Sequence, residues 1–193
     1  MGKKKQIKKF NKLLLKSNKE VVKICRDVTE GEANVFGVIL EISEDFMQIA
    51  ECNEFKFNGE VIIKLNHVDS IRCNKFDKTY KKILEKEGQL TKANLTKTNI
   101  DLSSWKSIFI DLKEADIHVI VECEDLENPT FTIGPIEKVN NKSVKIRYYD
   151  PTGQLEKKLT QIKFKDITLL KFNETYSTTF RKYLKKPKRI KEK

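Results

Sequence analysis

The feature that most constrains this chain is that it repeats itself. Shifting the sequence by 97 residues lays one apolar pattern over another. Val22–Lys23–Ile24 falls on Val119–Ile120–Val121, and Gly37–Val38–Ile39 on Gly134–Pro135–Ile136. Ile42 meets Val139, Met47 meets Val144, Ile49 meets Ile146 and Asp69 meets Asp166. The copies also end alike, Tyr80–Lys81–Lys82–Ile83–Leu84 against Phe180–Arg181–Lys182–Tyr183–Leu184, once a few residues inserted near Asp150–Pro151–Thr152–Gly153 are allowed for. Identity is low, so the warrant is pattern, order and spacing. A chain of 193 residues is then a first repeat over 1–88, a polar linker over 89–101 and a second repeat over 102–193.

Each copy reads as a helix, five short strands and a helix. Ile7, Phe10, Leu13 and Leu14 share one face of a helix over 6–16. Strands are expected over 20–26, 35–43, 46–52, 60–65 and 69–73, with Asn58–Gly59 as the hairpin dipeptide because both residues tolerate positive φ. A helix over 78–86 closes the copy. In the second copy Ser103 or Ser104 caps a helix bearing Trp105, Ile108, Phe109 and Leu112. Strands follow over 118–124, 130–139, 143–149, 155–163 and 167–172, then a helix over 176–184. Asp150–Pro151–Thr152–Gly153 supplies the second hairpin turn.

The formal charge is +11 and is unevenly placed. Residues 1–16 hold seven lysines and no acid; residues 181–193 hold eight basic residues and one acid. Each tail carries +7, and the body between them has 24 basic and 27 acidic residues, net −3. Polybasic ends attract polyanions by counterion release, so Lys3, Lys4, Lys5, Lys8, Lys9, Lys185, Lys186, Lys188 and Arg189 are candidate phosphate contacts. An anionic membrane surface is a weaker alternative partner.

Several classes find no support. No apolar run approaches the roughly 18 residues of a membrane span, and Leu13–Leu15 is too short for a secretory signal. Cys25, Cys52, Cys73 and Cys123 lie far apart in apolar runs, which fits reduced thiols in the cytoplasm and not a zinc site. His67 and His118 have no partner at catalytic spacing. Phosphate-loop, dinucleotide, nucleophile-elbow and zinc-protease motifs are missing. The expectation is a non-enzyme without metal or cofactor.

Gly37, Ile39, Glu44, Met47, Gln48 and Ile49, followed by Ile71–Arg72–Cys73–Asn74, carry a resemblance. Over roughly residues 6–76 the first copy resembles the Sm-like family, the LSm and Hfq type. That family's first motif is a glycine, an apolar residue two later, and an acidic turn before Met-Asn; its second is Ile-Arg-Gly-Asn/Asp. Here Gln48 and Cys73 replace the asparagine and the glycine, and the turn is one residue longer. The second copy offers Val144–Lys145 and Leu170–Lys171–Phe172–Asn173. The resemblance implies a mainly β fold with flanking helices: two tandem small bent five-stranded antiparallel barrels, each with an N-terminal and a C-terminal helix. An SH3-like barrel has nearly the same apolar pattern and stays open.

The resemblance also implies RNA binding, with bases held by the amide of the first motif and stacked on the arginine of the second. Carried over, the site residues are Gln48, Arg72 and Asn74 in copy one, and Lys145, Lys171 and Asn173 in copy two. The competing expectation is a protein-interaction or self-association module working through barrel edges.

Overall fold

In a computed structural model, residues 20–28, 33–91, 95, 97–125 and 127–185 are described. The helix expected over 6–16 and the tail cations Lys3, Lys4, Lys5, Lys8, Lys9, Lys186, Lys188 and Arg189 lie outside them. Two compact units divide the chain, Met1–Ser104 and Trp105–Lys193.

The first unit contains β1 (Val21–Arg26), β2 (Ala33–Ile42), β3 (Phe46–Asn53), β4 (Lys56–Lys64) and β5 (Val68–Arg72), then helix α1 (Lys75–Lys86). The strands are antiparallel in the order β5-β1-β2-β3-β4. Val21, Val22, Ile24, Met47, Ile49 and Val61 to Ile63 are each at most 1% exposed. Burial of such side chains stabilises by about 1.5–3 kcal/mol each. Leu84 of α1 joins Val21, Val38, Ala50 and Cys52 in a core cluster against which Leu90 and Leu95 pack.

The second unit contains α2 (Trp105–Glu114), β6 (Val119–Cys123), β7 (Thr130–Gly134), β8 (Ile136–Val139), β9 (Ser143–Ile146), β10 (Thr160–Lys163) and β11 (Leu169–Phe172). A six-residue helix α3 (Thr175–Phe180) runs on into a 3-10 turn, Arg181–Tyr183. Strands β11, β6 and β7 are bonded in that order, and β10, β9 and β8 form a separate three-stranded sheet. Trp105, Ile108, Phe109 and Leu112 are buried on one face of α2, as their spacing predicts.

The expected pair of small bent five-stranded barrels, each with an N-terminal and a C-terminal helix, is not what forms. In the first unit β4 and β5 stand at opposite ends of the strand order instead of bonding to each other, so the sheet is open. Among the described residues this unit carries one α-helix, α1, and a single 3-10 turn over Leu65–His67. In the second unit the strand expected over 130–139 is split at Pro135, which has no N–H to donate to a ladder. Its halves, β7 and β8, belong to two different sheets.

The duplication is nevertheless written into the strand register. Val22↔Gly37, Lys23↔Phe36 and Ile24↔Val35 in one unit recur as Val119↔Gly134, Ile120↔Ile133 and Val121↔Thr132 in the other. Ile39↔Ile49 and Ile42↔Met47 recur as Ile136↔Ile146 and Val139↔Val144, and both ladders shift at the same point, Ile39/Glu41 and Ile136/Lys138. All these pairs are related by 97 residues. Over β10 and β11 the offset is 99: Ile49↔Val61 recurs as Ile146↔Thr160, and Ile24↔Ile71 as Val121↔Leu170. Asp69 therefore corresponds to Thr168 and not to Asp166.

The first hairpin turn is Glu54–Phe55, both at positive φ (44° and 61°). Asn58–Gly59 instead lies within β4, where Gly59 at φ 80° accompanies a register shift opposite Ala50/Cys52. Residues 89–101 belong to the first unit, with Ile100 and Leu102 buried.

Glycine is required at two equivalent places. A Cβ on Gly37 would stand 2.0 Å from the carbonyl oxygen of Ala50, and one on Gly134 2.1 Å from that of Arg147. Ala50 and Arg147 are themselves 97 residues apart. Gly37→Ala is expected to destabilise by about 1–3 kcal/mol in urea unfolding, because backbone must move. Gly134→Ala should lose more, since φ there is 153°. Gly88→Ala, at φ 66° with open space around it, should cost only about 1 kcal/mol.

Candidate functional site

The residues matched to the Sm-like motifs fall into two separate groups. Gln48 sits on β3 and is fully buried. Its amide Nε2 donates to Glu60 Oε2 at 2.6 Å and to the Thr98 carbonyl at 2.9 Å. Glu60 is also buried and accepts further bonds from the Thr98 N–H and hydroxyl. A base edge has no access to an amide so enclosed, and Gln48 acts as an internal cross-link that pins residues 97–98 to the sheet.

Arg72 ends β5, three strands from β3 in the order with β1 and β2 between, and Asn74 follows two residues later. They converge on Asp77. The Arg72 guanidinium donates to Asp77 at 3.1 Å through Nε and at 2.7 Å through Nη2. The Asn74 N–H donates to the same carboxylate at 2.7 Å, while the Asn74 side chain accepts from the Phe76 N–H at 2.9 Å. This is a capping box that starts α1, reinforced by a two-toothed ion pair. Asp77 is 1% exposed. Burial alone would raise its pKa; the bonds from Arg72 and Asn74 outweigh it and hold the carboxyl below its ordinary value. Asp77 escaped the motif comparison, although an Asn followed three residues later by an acid is a legible helix start.

In the second copy Lys145 is half-buried on β9 and Lys171 half-buried on β11, and these strands belong to different sheets. Asn173 is exposed at φ 56°, and the residue after it, Glu174, caps α3 by accepting from the Tyr176 and Ser177 amides. The second copy thus starts its last helix with Glu174 where the first uses Asn74.

The basic tail begins inside the fold. Arg181 pairs with Asp116, both partly exposed. The Lys185 N–H donates to the Gly153 carbonyl at 2.8 Å, and its carbonyl accepts from Leu155. The cations beyond residue 185 therefore leave from a fixed point beside the Asp150–Gln154 turn. The first unit has an open cleft of about 410 Å³, lined by Glu41, Ser43, Glu44, Asp45, Asp101 and Ser103 among others. Its sign is wrong for a polyanion.

Among the described residues no group of three or more His, Cys, Asp or Glu side chains is placed to hold a metal. No described helix is long and apolar enough to cross a membrane. Cys52 and Cys123 are buried, Cys25 and Cys73 half-buried, and all four are free thiols. No protein-family description, curated protein or solved structure matches the chain.

Two measurements check these local accounts. Asp77→Ala is expected to cost about 1–3 kcal/mol, because Arg72 and the Asn74 N–H lose one acceptor together. Asp69→Ala, exposed on β5, should change stability by less than about 0.5 kcal/mol. In the second unit burial pushes the His118 imidazole below its ordinary 6.5, Arg181 pushes the same way and Asp116 opposes them. The unfolded chain then binds more protons than the native one below about pH 6.5. Stability should be full above that pH and fall as the pH drops through the lowered native value, a decline that His118→Phe should flatten in unfolding midpoints.

Proposed function

We propose that this chain is a non-enzymatic, cytoplasmic nucleic-acid-binding module, with RNA as the partner, in which the folded units are a scaffold and the polybasic ends grip phosphate. The observation that carries this reading is the segregation of charge: +7 at each end against −3 in the body. A protein that needed positive charge for solubility alone has no reason to gather it at the two ends of its sequence. The anchoring of Lys185 on Gly153 supports the reading, because a tail with a fixed origin loses less freedom on binding.

Base reading by Gln48 and by the Arg72–Asn74 pair is not part of the proposal, since Gln48 is fully buried and Arg72 and Asn74 are accounted for by the start of α1. A protein-interaction role through sheet edges is disfavoured. The end strands β5, β7, β8 and β10 have only four or five residues and all but β7 carry charge, and short charged edges discourage strand addition.

The test is binding of a labelled 20-nucleotide RNA at 50 and 200 mM salt. With about six phosphates neutralised, affinity should fall by roughly two orders of magnitude or more between the two conditions. Deleting residues 1–9 and 186–193 together should flatten that salt dependence. Absence of binding at 50 mM salt, or a slope unchanged by the deletion, would overturn the reading.

A further inference from the structure

Both repeats end on a helix with the same surface stripe. In α1 the positions spaced four and three apart are Phe76, Tyr80 and Ile83. One hundred residues on, α3 and its continuing turn hold Tyr176, Phe180 and Tyr183. That spacing returns to one face of a helix.

The middle ring is anchored in each copy. Tyr80 stacks on Phe55 at 4.2 Å and meets the edge of Phe36 at 4.7 Å. Phe180 stacks on Tyr176 at 4.5 Å and on the buried Tyr149 at 5.8 Å. The flanking residues are open: Phe76 is 63% exposed, Ile83 37%, Tyr176 45% and Tyr183 71%. One exposed ring on a surface is ordinary. Exposure recurring at both equivalent positions of a duplicated unit is a property of the unit.

Charge accompanies the rings. Residues 75–86 hold five lysines against two acids, and residues 175–185 hold three cations and no acid. Lys75 Nζ lies 5.2 Å from the centre of the Phe76 ring. Flat exposed rings beside cations match an unpaired nucleic-acid strand, whose bases stack on rings while its phosphates meet ammonium groups. An acidic peptide supplies the charge but has no flat face at each repeat.

The geometry points to a single-strand stacking surface on each of these helices, with unpaired bases on Phe76 in the first copy and on Tyr176 and Tyr183 in the second. This rests on the nucleic-acid reading above and adds that bases are engaged as well as phosphates.

The experiment compares a 20-nucleotide uridine RNA with an abasic strand of equal length and charge, both at 50 mM salt. The full chain should prefer the uridine strand by about tenfold or more. The triple variant Phe76→Ser, Tyr176→Ser, Tyr183→Ser should bind the two strands alike while keeping the abasic affinity and its salt slope. Should the triple variant unfold in urea at a lower midpoint, Tyr183→Ser alone decides, with at least a threefold loss of preference expected. A chain that binds both strands equally, or variants that keep the full preference, would overturn this inference and leave phosphate binding standing. A chain that binds neither strand overturns both.

Discussion

Between β2 and β3 the two backbones run too close for any side chain. At Gly37 the Ala50 carbonyl occupies the place a Cβ would take, and the second unit repeats the arrangement with Gly134 and Arg147. The rest of each unit is arranged around that contact. It fixes which residue of β1 lies opposite the glycine, Val22 or Val119, and it is followed two residues later by the same shift in the ladder. Those pairings set which side chains enter the core. A one-residue slip would turn the buried set outward. Two sequences of low identity thus hold one register because one backbone approach leaves room for glycine alone.

The strands and helices were legible because period-two and period-3.6 patterns depend on burial, and burial is local to each element. Val21–Arg26, Phe46–Asn53 and Trp105–Glu114 lie within a residue or two of where the apolar spacing places them. Sheet closure was not legible, because it depends on whether β4 and β5 meet, and no residue pattern within either strand encodes that. Pro135 could be read in advance as a missing donor, yet its consequence, one strand shared between two sheets, is a tertiary event. Asn58–Gly59 misled for a related reason. Its positive φ is used, at Gly59, but for a bulge inside β4, while Glu54–Phe55 makes the turn with help from the Tyr80 hydroxyl, which accepts from the Phe55 N–H at 2.6 Å.

The residues matched to the motifs have roles inside the fold that spacing alone does not show. Arg72 and Asn74 look like the end of a binding motif, and together with Asp77 they are sufficient to terminate a strand and begin a helix. The edge of the Arg72 guanidinium is committed to the buried Asp77 carboxylate, which accounts for the residue by the start of α1 alone. Gln48 shows the other difficulty. Alternation along β3 suggests an outward residue, but residues 97–98 cover it and draw its amide to Glu60 and Thr98. On the helices the difficulty is the opposite: the spacing of Tyr80, Ile83 and Leu84 predicts an inward face, yet Ile83 is exposed and Leu84 alone is fully buried.

In the proposed function a nearly neutral, duplicated scaffold is distinct from the cations and rings that would contact RNA. Amide chemical shifts of the full chain, followed while a 20-nucleotide uridine RNA is added at 50 mM salt, test that separation most directly. The account predicts changes at Phe76, Tyr176, Tyr183, Lys185 and the two tails, with the Gln48 side-chain amide and the amides of β3 and β9 unmoved. Changes centred on Gln48 and Lys145, with the helices and tails silent, would contradict it.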